Sequence, residues 1–214
     1  NAIYVASAIG ASSNCPPHLT AIARHMGIDF GIDYWEKLGH DIPLLVNCQP
    51  AGEHLMEGFF KAGGIPAIMQ ELMKNNKLHK NLMTVTGKTV EENLNKKIEV
   101  DKDIIRSFKN PLVKNAGFIV MKSNFFSSAV MKTSVISSEF KKRYLSNPSS
   151  LNLFEANAVV FEGPEDYHLR INDESLDINE NSILMIRGCG PVGYPGSAEV
   201  VNMQPPDKLL KKGI

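Results

Sequence analysis

Apolar residues in the first part of the chain recur mainly at helical spacing. NAIYVASAIG, 1–10, has a helix-like pattern. Pro16 and Pro17 stand where a helix begins, and Leu19, Ile22, Ala23 and Met26 follow at helical intervals until Gly27, which predicts an amphipathic helix. IPLLVN, 42–47, is a short apolar run bounded by Asp41 and by Pro50 and Gly52, the pattern of a buried parallel strand. GEHLMEGFFKAG returns to helical spacing, and 65–74 predicts a further helix with Pro66 at its start, after Gly63 and Gly64. Helix, strand, helix, helix implies α/β architecture.

Beyond Glu92 the texture changes. NKKIEVDKDIIRSFKN is charged and polar with few apolar anchors, which fits a connecting segment. From Ala116 the apolar runs shorten: GFIVMKSNF, SAVMKTSVI, NAVVFEG and NSILMIRG are separated by Asn, Ser, Gly and Pro, and each reads as a strand. FKKRYL and PEDYHLRIND, the latter with Pro164 in a first-turn position, read as short helices between them. The fold class expected is α/β followed by β-rich, with 1–92 and 116–214 in different domains joined by 93–115.

Composition narrows the functional classes. Lys plus Arg and Asp plus Glu balance at 23 each, so no bulk charge calls for nucleic acid or a membrane surface, and a small ligand is expected. No apolar run approaches the roughly 20 residues of a membrane helix. Cys15, Cys48 and Cys189 are odd in number and far apart, which fits free thiols in a reducing, cytoplasmic compartment. The chain opens and closes within helix-like patterns, and an internal piece of a longer polypeptide is expected.

Several constellations could carry chemistry. TGKT, 86–89, invites a phosphate-loop reading, but the first glycine of that motif would fall on Leu82, and a turn with Thr89 capping VEENL is the better account. His18 and His25 are seven residues apart, too far for a zinc helix, and His40, His54, His79 and His168 lack partners at ligand spacing. Cys15 precedes a helix start, which lowers a thiol pKa, although a small buried apolar role also fits. In GASSNCPPHL, 10–19, Ser12, Ser13 and Asn14 supply short donors and acceptors and the next helix supplies amides for a substrate carboxylate; an ordinary N-cap cluster fits the spacing equally. Glu199 stands alone in the Gly/Pro-rich RGCGPVGYPGSAEVVNMQPP, either as a solvated loop residue or as a ligand for a hard cation such as Mg²⁺.

GASSNCPPHLTAIARHMGID, DIPLLVNCQPAGEHLMEGFFKAGGIPAIM, TVTGKTVEENL and RGCGPVGYPGSAEVVNMQPP, in this order, resemble the dihydroxyacid dehydratase and phosphogluconate dehydratase family over essentially the whole chain. NPLVKNAGFIVMKSNFFSSAVMKTSVIS, FEGPEDYHLRIND and GYPGSAEVVNMQPP look most like the branch acting on sugar acids such as arabinonate and xylonate. The resemblance implies a hydro-lyase that takes water from a 2,3-dihydroxy acid to give a 2-keto-3-deoxy acid. It implies an iron–sulfur cluster, [2Fe-2S] or [4Fe-4S], and Mg²⁺, with Glu199 as a Mg²⁺ ligand and Ser12, Ser13 and Asn14 at the substrate. It also implies a cytoplasmic homodimer or tetramer, and a chain holding the end of an N-terminal α/β domain and the start of a C-terminal β-barrel-like domain.

The family's cluster cysteines and catalytic serine belong to motifs that this stretch does not contain, so the section by itself is expected to be inactive. A branched-chain dihydroxyacid dehydratase and a non-catalytic module binding a small molecule or anion are the competing readings.

Overall fold

A computed structural model describes residues 1–122, 124, 127–144, 146, 148, 155–188 and 203–214, which fall into two units, Asn1–Ser137 and Ser138–Ile214. The first unit carries helices α1 (Ala2–Ala8), α2 (Cys15–His25), α3 (Asp33–Gly39), α4 (Met56–Lys61), α5 (Gly64–Lys74) and α6 (Val90–Leu94), then strands β1 (Phe118–Met121) and β2 (Ala129–Lys132). All but α3 lie where the apolar pattern puts them. DYWEKLG is only seven residues long, too short for a helical period to show.

Helix α5 turns Ala67, Ile68 and Leu72 inward, and with Leu45, Val46 and Phe59 they form the larger core. The turn before α6 is the cap expected at TGKT, not a phosphate loop. Thr89 accepts from the Glu92 N–H at 3.2 Å while the Glu92 carboxylate accepts from the Thr89 N–H at 2.7 Å, a capping box that satisfies two helix-end donors.

The parallel strand expected at 42–47 is replaced by an extended run tied through isolated antiparallel bridges, Leu44 to Val113 and Val46 to Ile105. The Leu44 N–H donates to Val113 at 2.9 Å, and the Arg106 N–H to Leu45 and the Asn47 N–H to Ile104 at 2.8 Å each. An apolar run reports enclosure on both faces, which this segment has, but it does not encode the direction of its partner. Pro43 also lacks a donor for a regular ladder. The partner is the charged segment 93–115, whose Ile104 and Ile105 are buried in the larger core.

A second cluster joins Ile3 and Ala6 of α1 to Trp35 of α3 and to Phe118 and Val120 of β1. Trp35 meets Phe118 edge-on, with ring centres 5.0 Å apart. Strands β1 and β2 pair antiparallel, Phe118 opposite Lys132 and Met121 opposite Ala129. The approach of β1 to the end of α3 demands glycine, because a Cβ on Gly117 would fall on the Gly39 carbonyl oxygen. Helix α2 sends Leu19 into this cluster but leaves Ile22 57% and Met26 72% exposed, so only part of its apolar stripe is covered among the described residues.

The second unit holds α7 (Ser138–Tyr144), β3 (Asn157–Phe161), α8 (Pro164–Arg170), β4 (Ser182–Ile186) and α9 (Asp207–Leu210). Strands β3 and β4 are parallel, in register from Asn157 and Ser182 to Phe161 and Ile186. A parallel pair needs a crossover, and α8 lies in that connection. Phe161, Tyr167, Ile178 and Leu209 make a compact core there. The described strands form two two-stranded sheets, so the architecture is mixed α/β with small, open sheets.

Candidate functional site

Helix α1 ends on Gly10, whose φ of +60° is a left-handed conformation that glycine adopts without strain. The Gly10 N–H donates to Ser7 O at 3.1 Å and the Ala11 N–H to Ala6 O at 2.9 Å, the paired bonds of a Schellman motif. The chain then turns through Ser12, Ser13 and Asn14 into α2, with Ser12 and Ser13 exposed and Asn14 half-buried. These three candidate substrate residues therefore sit together on one turn between two helices.

The helix end itself is closed to an anion, contrary to the expectation from GASSNCPPHL. The Asn14 N–H donates to Ser12 Oγ at 3.2 Å, and the Cys15 N–H to Ser12 O at 3.0 Å. Pro16 and Pro17 have no N–H, and the His18 N–H donates to Asn14 O at 3.2 Å. Prolines that favour the start of a helix also remove its free donors.

Two side chains from beyond β1 approach Gly10, just before the turn. A Cβ on Gly10 would have Leu44 Cδ1 at 2.8 Å, Ser134 Oγ at 3.5 Å and Lys132 Cε at 4.0 Å, so Leu44 fills the room the glycine leaves. Burial holds the Lys132 ammonium below the ordinary lysine range, opposed by Cys15 once that thiol ionises. The Cys15 thiol is pushed up by burial, with Lys132 acting the other way, so the low-pKa reading of Cys15 is corrected: desolvation beats the helix end. Lys132 and Ser134 are the residues sequence reading missed. A lysine ending an apolar strand is ordinarily solvent-facing, and nothing in AVMKTS marks it otherwise.

Glu199 and Cys189 lie outside the described residues. Cys48 is buried, and burial pushes its thiol up as well. Cys15 and Cys48 are not gathered with other ligand side chains among the described residues. Among the described residues no three His, Cys, Asp or Glu side chains gather as a metal site, and His18 and His25 are both exposed on α2. A separate cavity of about 380 Å³ lies between α5 and 98–110, but its Glu71 accepts from the Phe108 N–H and its Gln70 donates to the Leu94 and Lys96 carbonyls, so both serve the backbone.

Residues 1–93 match the N-terminal region of the dihydroxy-acid/6-phosphogluconate dehydratases, and residues 103–214 match the C-terminal region. The chain belongs to that family. Over the whole of this chain it is 54% identical to a D-xylonate dehydratase of Caulobacter vibrioides and 42% identical to an L-arabinonate dehydratase of Rhizobium leguminosarum. A dihydroxy-acid dehydratase of Acetivibrio thermocellus is 35% identical over 94% of the chain. The chain spans about a third of the length of these curated relatives, 36%, 35% and 34% respectively. No helix among the described residues is long and apolar enough to cross a membrane.

Proposed function

We propose that this chain is a section of a hydro-lyase that converts a 2,3-dihydroxy sugar acid into a 2-keto-3-deoxy acid. The observation that carries this reading is the match of both halves of the chain to one dehydratase family, with 54% identity to a relative named for D-xylonate. The reaction removes the C2 proton and expels the C3 hydroxyl as water, and the resulting enol tautomerises to the ketone. When bound, an iron–sulfur cluster and Mg²⁺ supply Lewis acidity toward the leaving hydroxyl and the acid end of the substrate. Glu199 is the Mg²⁺ ligand in this reading, since one carboxylate leaves a hard cation room for water and substrate oxygens. Ser12, Ser13 and Asn14 bind and orient substrate hydroxyls from the turn between α1 and α2.

On this reading residues 1–92 close an α/β domain and 116–214 open a β-barrel-like one, in a cytoplasmic homodimer or tetramer whose isolated section is inactive. The test is kcat/KM of the full-length, cofactor-loaded protein for arabinonate, xylonate, gluconate and dihydroxyisovalerate, alongside Glu199→Gln. A five- or six-carbon aldonate should be preferred, and the variant should keep the fold and lose most activity. Preference for dihydroxyisovalerate overturns the sugar-acid branch. Unchanged activity and Mg²⁺ dependence in Glu199→Gln overturn the ligand role.

A further inference from the structure

Some lysines of the first unit have acids beside them. Lys122, just after β1, meets Asp33 at 2.9 Å, and Lys80 meets Glu91 at 2.8 Å, all exposed. Lys132 differs: it is half-buried, and its one electrostatic neighbour among the described residues is the Cys15 thiol, which burial keeps neutral. A partly desolvated cation without a counter-charge is costly unless an anion visits it.

A second orphan lies beside it. Ser134 follows in a single helical turn, Thr133–Val135, fixed by the Thr133 hydroxyl donating to Gly117 O at 2.7 Å. Ser134 is only 8% exposed and its Oγ has no hydrogen-bond partner among the described residues; it lies 3.5 Å from where a Gly10 Cβ would stand, a point that Leu44 Cδ1 also crowds at 2.8 Å. Buried hydroxyls are seldom left unpaired, because the lost water bond is not regained. A cation and an unpaired donor therefore converge beside Gly10 and Cys15, the residues that flank the Ser12–Asn14 turn.

We infer that Lys132 and Ser134 add a protein-side contact to the carboxylate of the acid substrate, beside whatever hold Mg²⁺ has on that end. The ammonium supplies the counter-charge and Ser134 Oγ donates to a carboxylate oxygen, while the turn reads neighbouring hydroxyls. This rests on the sugar-acid reading above for the ligand, but not on turnover for its test.

The probe is 3-deoxypentonate, which has no C3 hydroxyl to lose, compared with its neutral amide by calorimetric titration into the full-length holoenzyme. The wild type should prefer the acid. Lys132→Met should weaken acid binding by about tenfold to a hundredfold, the span of a charged hydrogen bond, and leave amide binding unchanged. Lys132→Arg should restore part of the difference. Ser134→Ala removes an unpaired hydroxyl, so it should leave the fold intact and still weaken the acid several-fold. Equal binding of acid and amide by the wild type, acid affinity retained in both Lys132→Met and Ser134→Ala, or parallel loss of acid and amide would overturn this contact. Turnover of the aldonates, measured separately, decides the proposed function.

Discussion

Gly117→Ala is the sharpest test of the first unit. The new methyl would fall on the Gly39 carbonyl oxygen, 2.5 Å from its carbonyl carbon and 3.2 Å from His40 Cα. All three are backbone atoms, so no rotamer change relieves the clash, and β1 must draw away from the end of α3. That movement loosens the Gly117 N–H bond to His40 O and the Thr133 bonds to Gly117 O, and parts Phe118 from Trp35. Overpacking costs about 1–3 kcal/mol and each strained hydrogen bond about 1 kcal/mol more, so the loss should be roughly 3–5 kcal/mol. That is a large share of the stability of an ordinary domain. Trp35 is the chain's single tryptophan and is fully buried, so urea unfolding followed by its fluorescence reads this unit directly. Gly31→Ala is the control, because nothing lies within 4 Å of its β-position. A Gly117→Ala midpoint matching that of Gly31→Ala, with unchanged Trp35 emission, would refute the close approach.

Thr89→Ala should remove the capping box and destabilise the first unit by about 1 kcal/mol in the same urea assay; no change would mean α6 holds without its cap. The Cys15 thiol, raised by burial, should carry less thiolate at pH 8 than an unfolded cysteine and alkylate more slowly with iodoacetamide, its rate climbing only as pH rises further. Lys132→Met removes the opposing cation and should slow that reaction again, whereas a rate at or above that of the unfolded chain in peptide mapping would contradict the placement of both residues.

Elements with a regular period or a strong punctuation signal were legible in the sequence. Pro164 placed α8, the TGKT turn placed α6, and four short apolar runs placed β1 to β4. What failed was pairing. IPLLVN announced burial correctly, but its antiparallel partner lies some sixty positions on, in a segment whose charges concealed Ile104 and Ile105. The site divided along the same line. Ser12, Ser13 and Asn14 are consecutive, so their clustering is local and readable. Lys132 and Ser134 reach the same place only because β1 folds against the end of α3, a long-range contact that no local pattern encodes. The closed end of α2 was readable in principle, since Pro16 and Pro17 state in the sequence itself that two donors are missing.

These two kinds of site residue should have separable effects on selectivity. A carboxylate is common to aldonates and to dihydroxyisovalerate, so a cation that reads it contributes equally to each and cannot discriminate between them. Discrimination must come from groups that meet the rest of the chain: hydroxyls in one case, methyls in the other. A polar group that loses its hydroxyl partner is left buried and unpaired, which can cost a factor of roughly 10⁴, whereas a methyl is worth far less. Lys132→Met in the full-length enzyme should therefore lower kcat/KM for every acid tested by a similar factor and leave their ratios alone. Ser13→Ala and Asn14→Ala should instead compress the ratio of xylonate to dihydroxyisovalerate, chiefly by losing the sugar acid. A Lys132→Met variant that changes the ratio, beside turn variants that do not, would reverse the assignment of charge to anchoring and of the turn to hydroxyl recognition.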